Sequence, residues 1–226
     1  MPEAFYQDRV YPLQNQILSL VQGAGVEFYL TGGTALSRYY LNHRYSDDLD
    51  FFVNQHSEFK VQCQKVIEII RSSKINFETG TTSDSFIRIF IKKEEARITV
   101  DFINDVPFHY GGFEKFETFH QVDNWRNILS NKICALTRLE PKDTIDLLFI
   151  AKRYSFSWEE VLKEAKEKDL WVEPLGVSKV IKDFNPKFFK AIKWVEPIAK
   201  DKLIKNLKTL HKDIFYGNIN SLAKSY

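Results

Sequence analysis

The chain has 226 residues, 44% of them hydrophobic, with 19 Phe, 10 Tyr and 4 Trp against 9 Gly and 7 Pro. That is enough apolar material to build a core in one large domain or two small ones, and it excludes collagen-like, linker-rich and disordered classes. The net charge of +2 implies no partner by itself, and two cysteines with five scattered histidines argue against a disulfide framework or a zinc site.

Residues 4–22 carry Phe5, Leu13, Ile17, Leu20 and Val21 at helical spacing, and Gly23 and Gly25 break the pattern. The N-terminus has no basic segment followed by an apolar stretch and no run approaches the ~20 apolar residues of a membrane span, so the expectation is a cytoplasmic protein without membrane contact. Phe28-Tyr29-Leu30 reads as a strand, Gly32-Gly33 as a turn, and Thr34 to Leu41 as a helix. Asp48 to Val53 is a second strand and Phe59 to Ile70 a helix. Phe86 to Ile91 and Ile98 to Ile103 then alternate as strands. The segment Asn104 to His120, with Pro107, Gly111 and Gly112, connects this mixed sheet to a helical part. There, helices are expected over Trp125 to Arg138, Lys142 to Tyr154 and Trp158 to Lys168, with Pro141, Pro174, Pro186 and Pro197 marking starts. The fold class is therefore α+β, divided near residue 119 into 1–119 and 120–226.

The strand Asp48 to Val53 holds the most informative residues. Alternate strand positions share a face, so Asp48 and Asp50 project together with Cα atoms about 6.6 Å apart. Two such carboxylates suit a pair of Mg²⁺ ions about 4 Å apart, as used in phosphoryl and nucleotidyl transfer. Like charges this close need a cation or hydrogen bonds to compensate. Gly32-Gly33 between strand and helix leaves backbone N–H groups open to an anion such as a triphosphate. On the strand around Val100, Asp101 lies opposite the apolar Ile98, Val100 and Phe102, as a third metal ligand or a general base. Asp105 is the neighbouring alternative.

These residues resemble a known family. G-G-T-A-L at Gly32 to Leu36 and R-Y-S-D-D-L-D-F-F at Arg44 to Phe52 are similar to the AbiEii/AbiGii toxins of the DNA polymerase β-like nucleotidyltransferase superfamily. The resemblance extends to Asn131-Lys132-Ile133-Cys134-Ala135-Leu136 and Lys142-Asp143-Thr144-Ile145-Asp146-Leu147. It implies a nucleotidyltransferase-like sheet with flanking helices, followed by a mainly helical C-terminal domain. It also implies Mg²⁺ or Mn²⁺ on Asp48, Asp50 and Asp101, with an NTP as substrate. Gly32, Gly33 and Thr34 would cradle the triphosphate, and Arg44 and Ser46 would bind phosphate or fix the loop. Lys132 interrupts the apolar stripe Ile128, Leu129, Ile133 and Leu136, so its ammonium either leaves a domain interface or reaches the phosphates. Asp143 and Asp146 share a helical face and complete the expected catalytic set. The toxin family further implies a tRNA or other RNA acceptor and an antitoxin partner. Small-molecule or protein nucleotidyl transfer, and nucleotide or nucleic-acid binding without turnover, stay open.

The charge distribution bears on the acceptor. Residues 1–119 carry 12 Lys and Arg against 16 Asp and Glu, whereas residues 120–226 carry 20 against 14. The ten lysines from Lys179 to Lys212 form either solvated helix faces or a surface that attracts polynucleotide phosphates.

Overall fold

The computed structural model describes residues 2–223, the side chain of Pro2 excepted. The chain forms two compact units that are not consecutive in sequence. The first comprises the residues up to Ala35 together with Ser46–Asn124, and the second comprises Leu36–Tyr45 with the residues from Trp125 on. A single cut near residue 119 lies close to the return of the chain into the second unit, but it leaves out the ten-residue excursion at Leu36–Tyr45.

The first unit is built on a mixed seven-stranded sheet. Its strands are β1 Tyr29–Thr31, β2 Asp48–Asn54, β3 Phe77–Thr82, β4 Phe86–Lys93, β5 Ala96–Asp105, β6 Phe113–Glu114 and β7 Val122–Asp123, in the order β3-β4-β5-β2-β1-β7-β6. β2 pairs antiparallel with β1 and parallel with β5, and β4 pairs antiparallel with β5. One face is apolar at every second residue, with Leu49, Phe51, Ile89, Ile91, Ile98, Val100 and Phe102 all fully buried. Phe102 stacks on Phe51 at 5.7 Å, and Phe28 packs against both Phe102 and Phe59. Each such buried side chain contributes about 1.5–3 kcal/mol. The cover comes from helices α1 Pro2–Phe5, α2 Tyr11–Gly23, α3 Gly32–Ala35 and α4 Phe59–Ser72, with a wider π turn at Tyr6–Val10 between α1 and α2. Buried Leu13, Ile17 and Val21 on α2, and Phe59, Val66 and Ile70 on α4, follow the period of 3.6.

The second unit is helical. A π segment at Leu36–Leu41 is followed, beyond the sheet, by α5 Trp125–Ala135, a 3₁₀ turn at Leu136–Arg138, α6 Pro141–Arg153, α7 Trp158–Lys168, α8 Pro174–Lys182, a 3₁₀ stretch at Pro186–Ala191 and α9 Lys200–Tyr216. Pro141 and Pro174 occupy first helical turns, and Pro186 opens the 3₁₀ stretch. Pro197 instead lies three residues before α9. Trp158 is fully buried, Trp125 stacks on Tyr154 at 4.2 Å, and the Trp194 indole N–H donates to the Phe189 carbonyl, so these tryptophans serve packing. Among the described residues no helix is long and apolar enough to cross a membrane.

Candidate active site

The polar face of the sheet carries the acidic residues because the period-2 alternation leaves it no other choice. With Leu49, Phe51 and Val53 in the core, Asp48, Asp50 and Phe52 are half-buried on the opposite face. The parallel register sets Asp50 beside Asp101 and Asp48 beside Thr99. Paired residues on neighbouring strands stand about 4.8 Å apart and point the same way. Asp105 pairs with Asn54 at the far end of the ladder, four residues and about 13 Å along the strand from Asp101. The register therefore selects Asp101 as the neighbour of the acidic pair.

The row extends in both directions. On β1, Thr31 is the antiparallel partner of Asp50, and on β4, Arg88 is the partner of Asp101. Arg88 donates from Nε and Nη2 to the two oxygens of Asp101 at 2.7 and 2.6 Å. Those hydrogen bonds, and the charges of Asp101, Asp48 and Asp50, raise the guanidinium pKa despite its partial burial. Thr31 Oγ1 donates to Asp123 Oδ2 at 2.6 Å, and His109 Nε2 donates to Asp123 Oδ1 at 3.0 Å. Asp123 is fully buried. The alternation of Phe86 to Ile91 marks the strand of Arg88 but not the strand beside it, and nothing in the pattern marked Asp123 or His109.

Gly32 is shaped to the acidic pair. Its φ of +71° is left-handed backbone, and a Cβ there would lie 2.1 Å from Asp50 Oδ2 and 2.9 Å from its Cγ. Only glycine lets the Asp50 carboxylate settle against the turn between β1 and α3. Gly33 and Thr34 are buried in α3, and the Thr34 hydroxyl donates to the Asp48 carbonyl. The loop ahead of the pair is held from the N-terminal helices: Gln14 Nε2 donates to the Ser46 carbonyl at 2.9 Å, and the Tyr6 hydroxyl donates to the Asp47 carboxylate. Hard oxygen donors on one strand face, cleared of side chains at Gly32, are of the kind that suits a hard divalent cation. Among the described residues no three His, Cys, Asp or Glu side chains already stand as one metal-binding group. Both oxygens of Asp101 are engaged by Arg88.

The other expected residues meet in the helical unit, in a buried ion network. Asp146 on α6 is fully buried and accepts from Arg44 Nε at 2.7 Å, Arg44 Nη2 at 2.8 Å and His43 Nε2 at 2.9 Å. Lys132 on α5 lies 2.7 Å from Asp143 and 2.8 Å from Asp146, and Arg138 closes the rim on Asp143 at 3.0 Å. Burial penalises these charges, yet the carboxylates outweigh it for Lys132, whose pKa lies above its usual value. Arg44 and Lys132 likewise outweigh burial for Asp146 and hold its pKa well down. Burial dominates at His43, which is pushed below its usual pKa, and its Nδ1 has no partner among the described residues. Lys132 is expected from the sequence either to leave a domain interface or to reach phosphates, and Arg44 to bind phosphate or fix the loop. Both cations are buried and committed to aspartates, because an unpaired charge at these positions would cost several kcal/mol.

The lysine-rich stretch lies largely on α8 and α9. A groove of about 540 Å³ between them is lined by Leu175, Lys179, Lys182, His211, Lys212 and Phe215, among others. His211 donates from Nδ1 to the Ser178 carbonyl.

Residues 18–190 match the family model of the nucleotidyl transferase AbiEii toxin of Type IV toxin–antitoxin systems. The fold is similar to the crystal structure of JHP933 from Helicobacter pylori, at 21% identity and a TM-score of 0.59 over 92% of this chain and 90% of that one. It is also similar to an H. pylori protein provisionally described as a nucleotidyltransferase, at 20% identity and a TM-score of 0.59 over 90% and 94%. No curated protein matches the sequence. The family generally uses a nucleoside triphosphate and a divalent metal, and its systems include an antitoxin. With well over half of its length matched, the chain belongs to the AbiEii nucleotidyltransferase toxin family.

Proposed function

We propose that the protein moves a nucleoside monophosphate from an NTP to an acceptor hydroxyl in a Mg²⁺-dependent reaction, with RNA as the acceptor and tRNA as the first candidate. The observation that carries this reading is the seating of the Asp50 carboxylate on Gly32, which sets the acidic row against a strand–turn–helix junction. Asp48 and Asp50 would hold the metal, and Asp101 on the next strand would complete the set. When bound, the metal supplies charge neutralisation at the transferred phosphate and activation of the acceptor oxygen.

The protein's own part is positioning. Backbone N–H groups at Gly33 and Thr34 sit at the start of α3, where an anion is favoured. The tethers from Thr34, Gln14 and Tyr6 fix the loop so that Asp48 and Asp50 need no reorganisation when the nucleotide arrives. Lys132, Asp143 and Asp146 act as positioning residues that lock Arg44, two residues before Ser46, into the helical unit. The excess of lysines on α8 and α9 favours a polyanionic acceptor over a small neutral one. The family places such an enzyme with an antitoxin partner, and we assign both to the cytoplasm.

The test supplies purified protein with Mg²⁺, total RNA and each α-labelled NTP in turn. Label that nuclease removes, protease leaves, and Asp48→Asn abolishes is the expected result. Label that enters protein or a small molecule would refute the RNA acceptor while leaving nucleotidyl transfer standing. No label with any acceptor would refute the reading as a whole.

A further inference from the structure

Nucleotidyl transfer accounts for the acidic row but not for the arginine inside it. Three carboxylates on one face of two neighbouring strands repel one another, and Arg88, the register partner of Asp101 on β4, offsets part of that repulsion. Its fork donates one hydrogen bond to each Asp101 oxygen. A cation shared by Asp50 and Asp101 would have to coordinate one of those oxygens beside the guanidinium charge, so the two cations repel each other and compete for Asp101. The two partners differ in freedom. The Asp101 side chain is 10% exposed, whereas that of Arg88 is 39% exposed, with its guanidinium 5.3 Å from the Phe86 ring. The arginine can swing outward and the aspartate cannot.

We propose that Arg88 is a built-in competitor of the metal: it offsets part of the charge of the Asp48, Asp50 and Asp101 row in the metal-free enzyme and swings away from Asp101 when a divalent cation is shared there. An arginine suits this role because its planar fork satisfies both oxygens at once, whereas a lysine would leave one open. Loading of the site is therefore an exchange of one cation for another rather than the filling of a vacant acidic cluster. This inference rests on the reading of Asp48 and Asp50 as metal ligands.

The test is a Mn²⁺ titration of the full chain followed by the electron paramagnetic resonance signal of free Mn²⁺, with no nucleotide present. Arg88→Gln should bind Mn²⁺ roughly tenfold tighter than wild type, and Arg88→Lys should fall between them. Asp48→Asn should abolish binding. Equal or weaker binding by Arg88→Gln, with Asp48→Asn still abolishing it in the wild-type background, overturns the competitor alone. Binding by neither protein, or binding that ignores Asp48→Asn, overturns the metal site and the competitor together. If Arg88→Gln does not fold, Arg88→Lys decides alone, and affinity no tighter than wild type overturns the proposal. A crystal structure of the wild type with Mn²⁺ gives an independent reading: Arg88 more than about 4 Å from Asp101 is expected, and an intact fork on a loaded site would contradict the exchange.

Discussion

Gly32→Ala perturbs the site at its tightest point. The new Cβ would begin 2.1 Å from Asp50 Oδ2, a separation that real Cβ atoms do not adopt below 3.0 Å, so the carboxylate must retreat by about 1 Å. The backbone also resists, because a φ of +71° costs an alanine about 1–2 kcal/mol. In a chain of this size that strain lowers the melting temperature by about 2–8 °C. The displaced carboxylate matters more, since a misplacement of about 1 Å in a catalytic group lowers the rate by roughly a hundredfold. Gly23→Ala is the control, because nothing lies within 4 Å of its Cβ position at the end of α2. The assay measures label transfer from an α-labelled NTP beside thermal unfolding followed by circular dichroism. Gly32→Ala with wild-type activity would refute the argument that glycine is there to seat Asp50.

Lys132→Met should destabilise the chain by about 3–5 kcal/mol, read from urea unfolding, because it strips Asp143 and Asp146 of a shared cation. Combining it with Asp143→Asn should cost less than the sum of the single changes, and strict additivity would break the network account. His43 gives a pH signature. Burial holds the folded-state pKa of its imidazole below the ordinary 6.5, so below pH 6.5 the unfolded chain takes up a proton more readily than the folded one. Stability should therefore fall as the pH drops below 6.5, by up to about 1.4 kcal/mol per pH unit from this residue. His43→Gln should flatten that slope, and an unchanged slope would contradict the assignment. Asp101→Asn should lose label transfer by more than a hundredfold while Asp105→Asn retains it, and the reverse order would move the third carboxylate along β5.

The main features of this site were legible wherever one local rule fixed them. The D-x-D of β2 shows itself because alternation with Leu49 and Phe51 forces both carboxylates to one face. The glycine turn is visible because a strand, two glycines and a helix start succeed one another. Features that depend on which strand lies beside which were not legible. The fork from Arg88 to Asp101 exists only because β4 and β5 pair in one register, and β3, with the polar sequence Phe77-Glu78-Thr79-Gly80-Thr81-Thr82, has no alternation to betray an edge strand. The two-residue strand β7 is too short to leave a pattern, which hid Asp123, and His109 lies in the loop before β6. Lys132 stood out as a cation in an apolar stripe, but its partners Asp143 and Asp146 come from the packing of α5 against α6. The excursion Leu36–Tyr45 escaped a one-cut division because its membership in the helical unit is set by contacts with residues a hundred positions away.

The most direct test of the central claim compares label position. The same NTP is supplied with its label at the α- or at the γ-phosphorus, with Mg²⁺ and RNA, to wild type and to Asp50→Asn. The α-label should enter the acceptor and the γ-label should leave as pyrophosphate, and a folded Asp50→Asn should do neither. Transfer of the γ-label to the acceptor, or unchanged α-transfer by Asp50→Asn, would contradict the assignment of nucleotidyl transfer to the acidic row of β2 and β5.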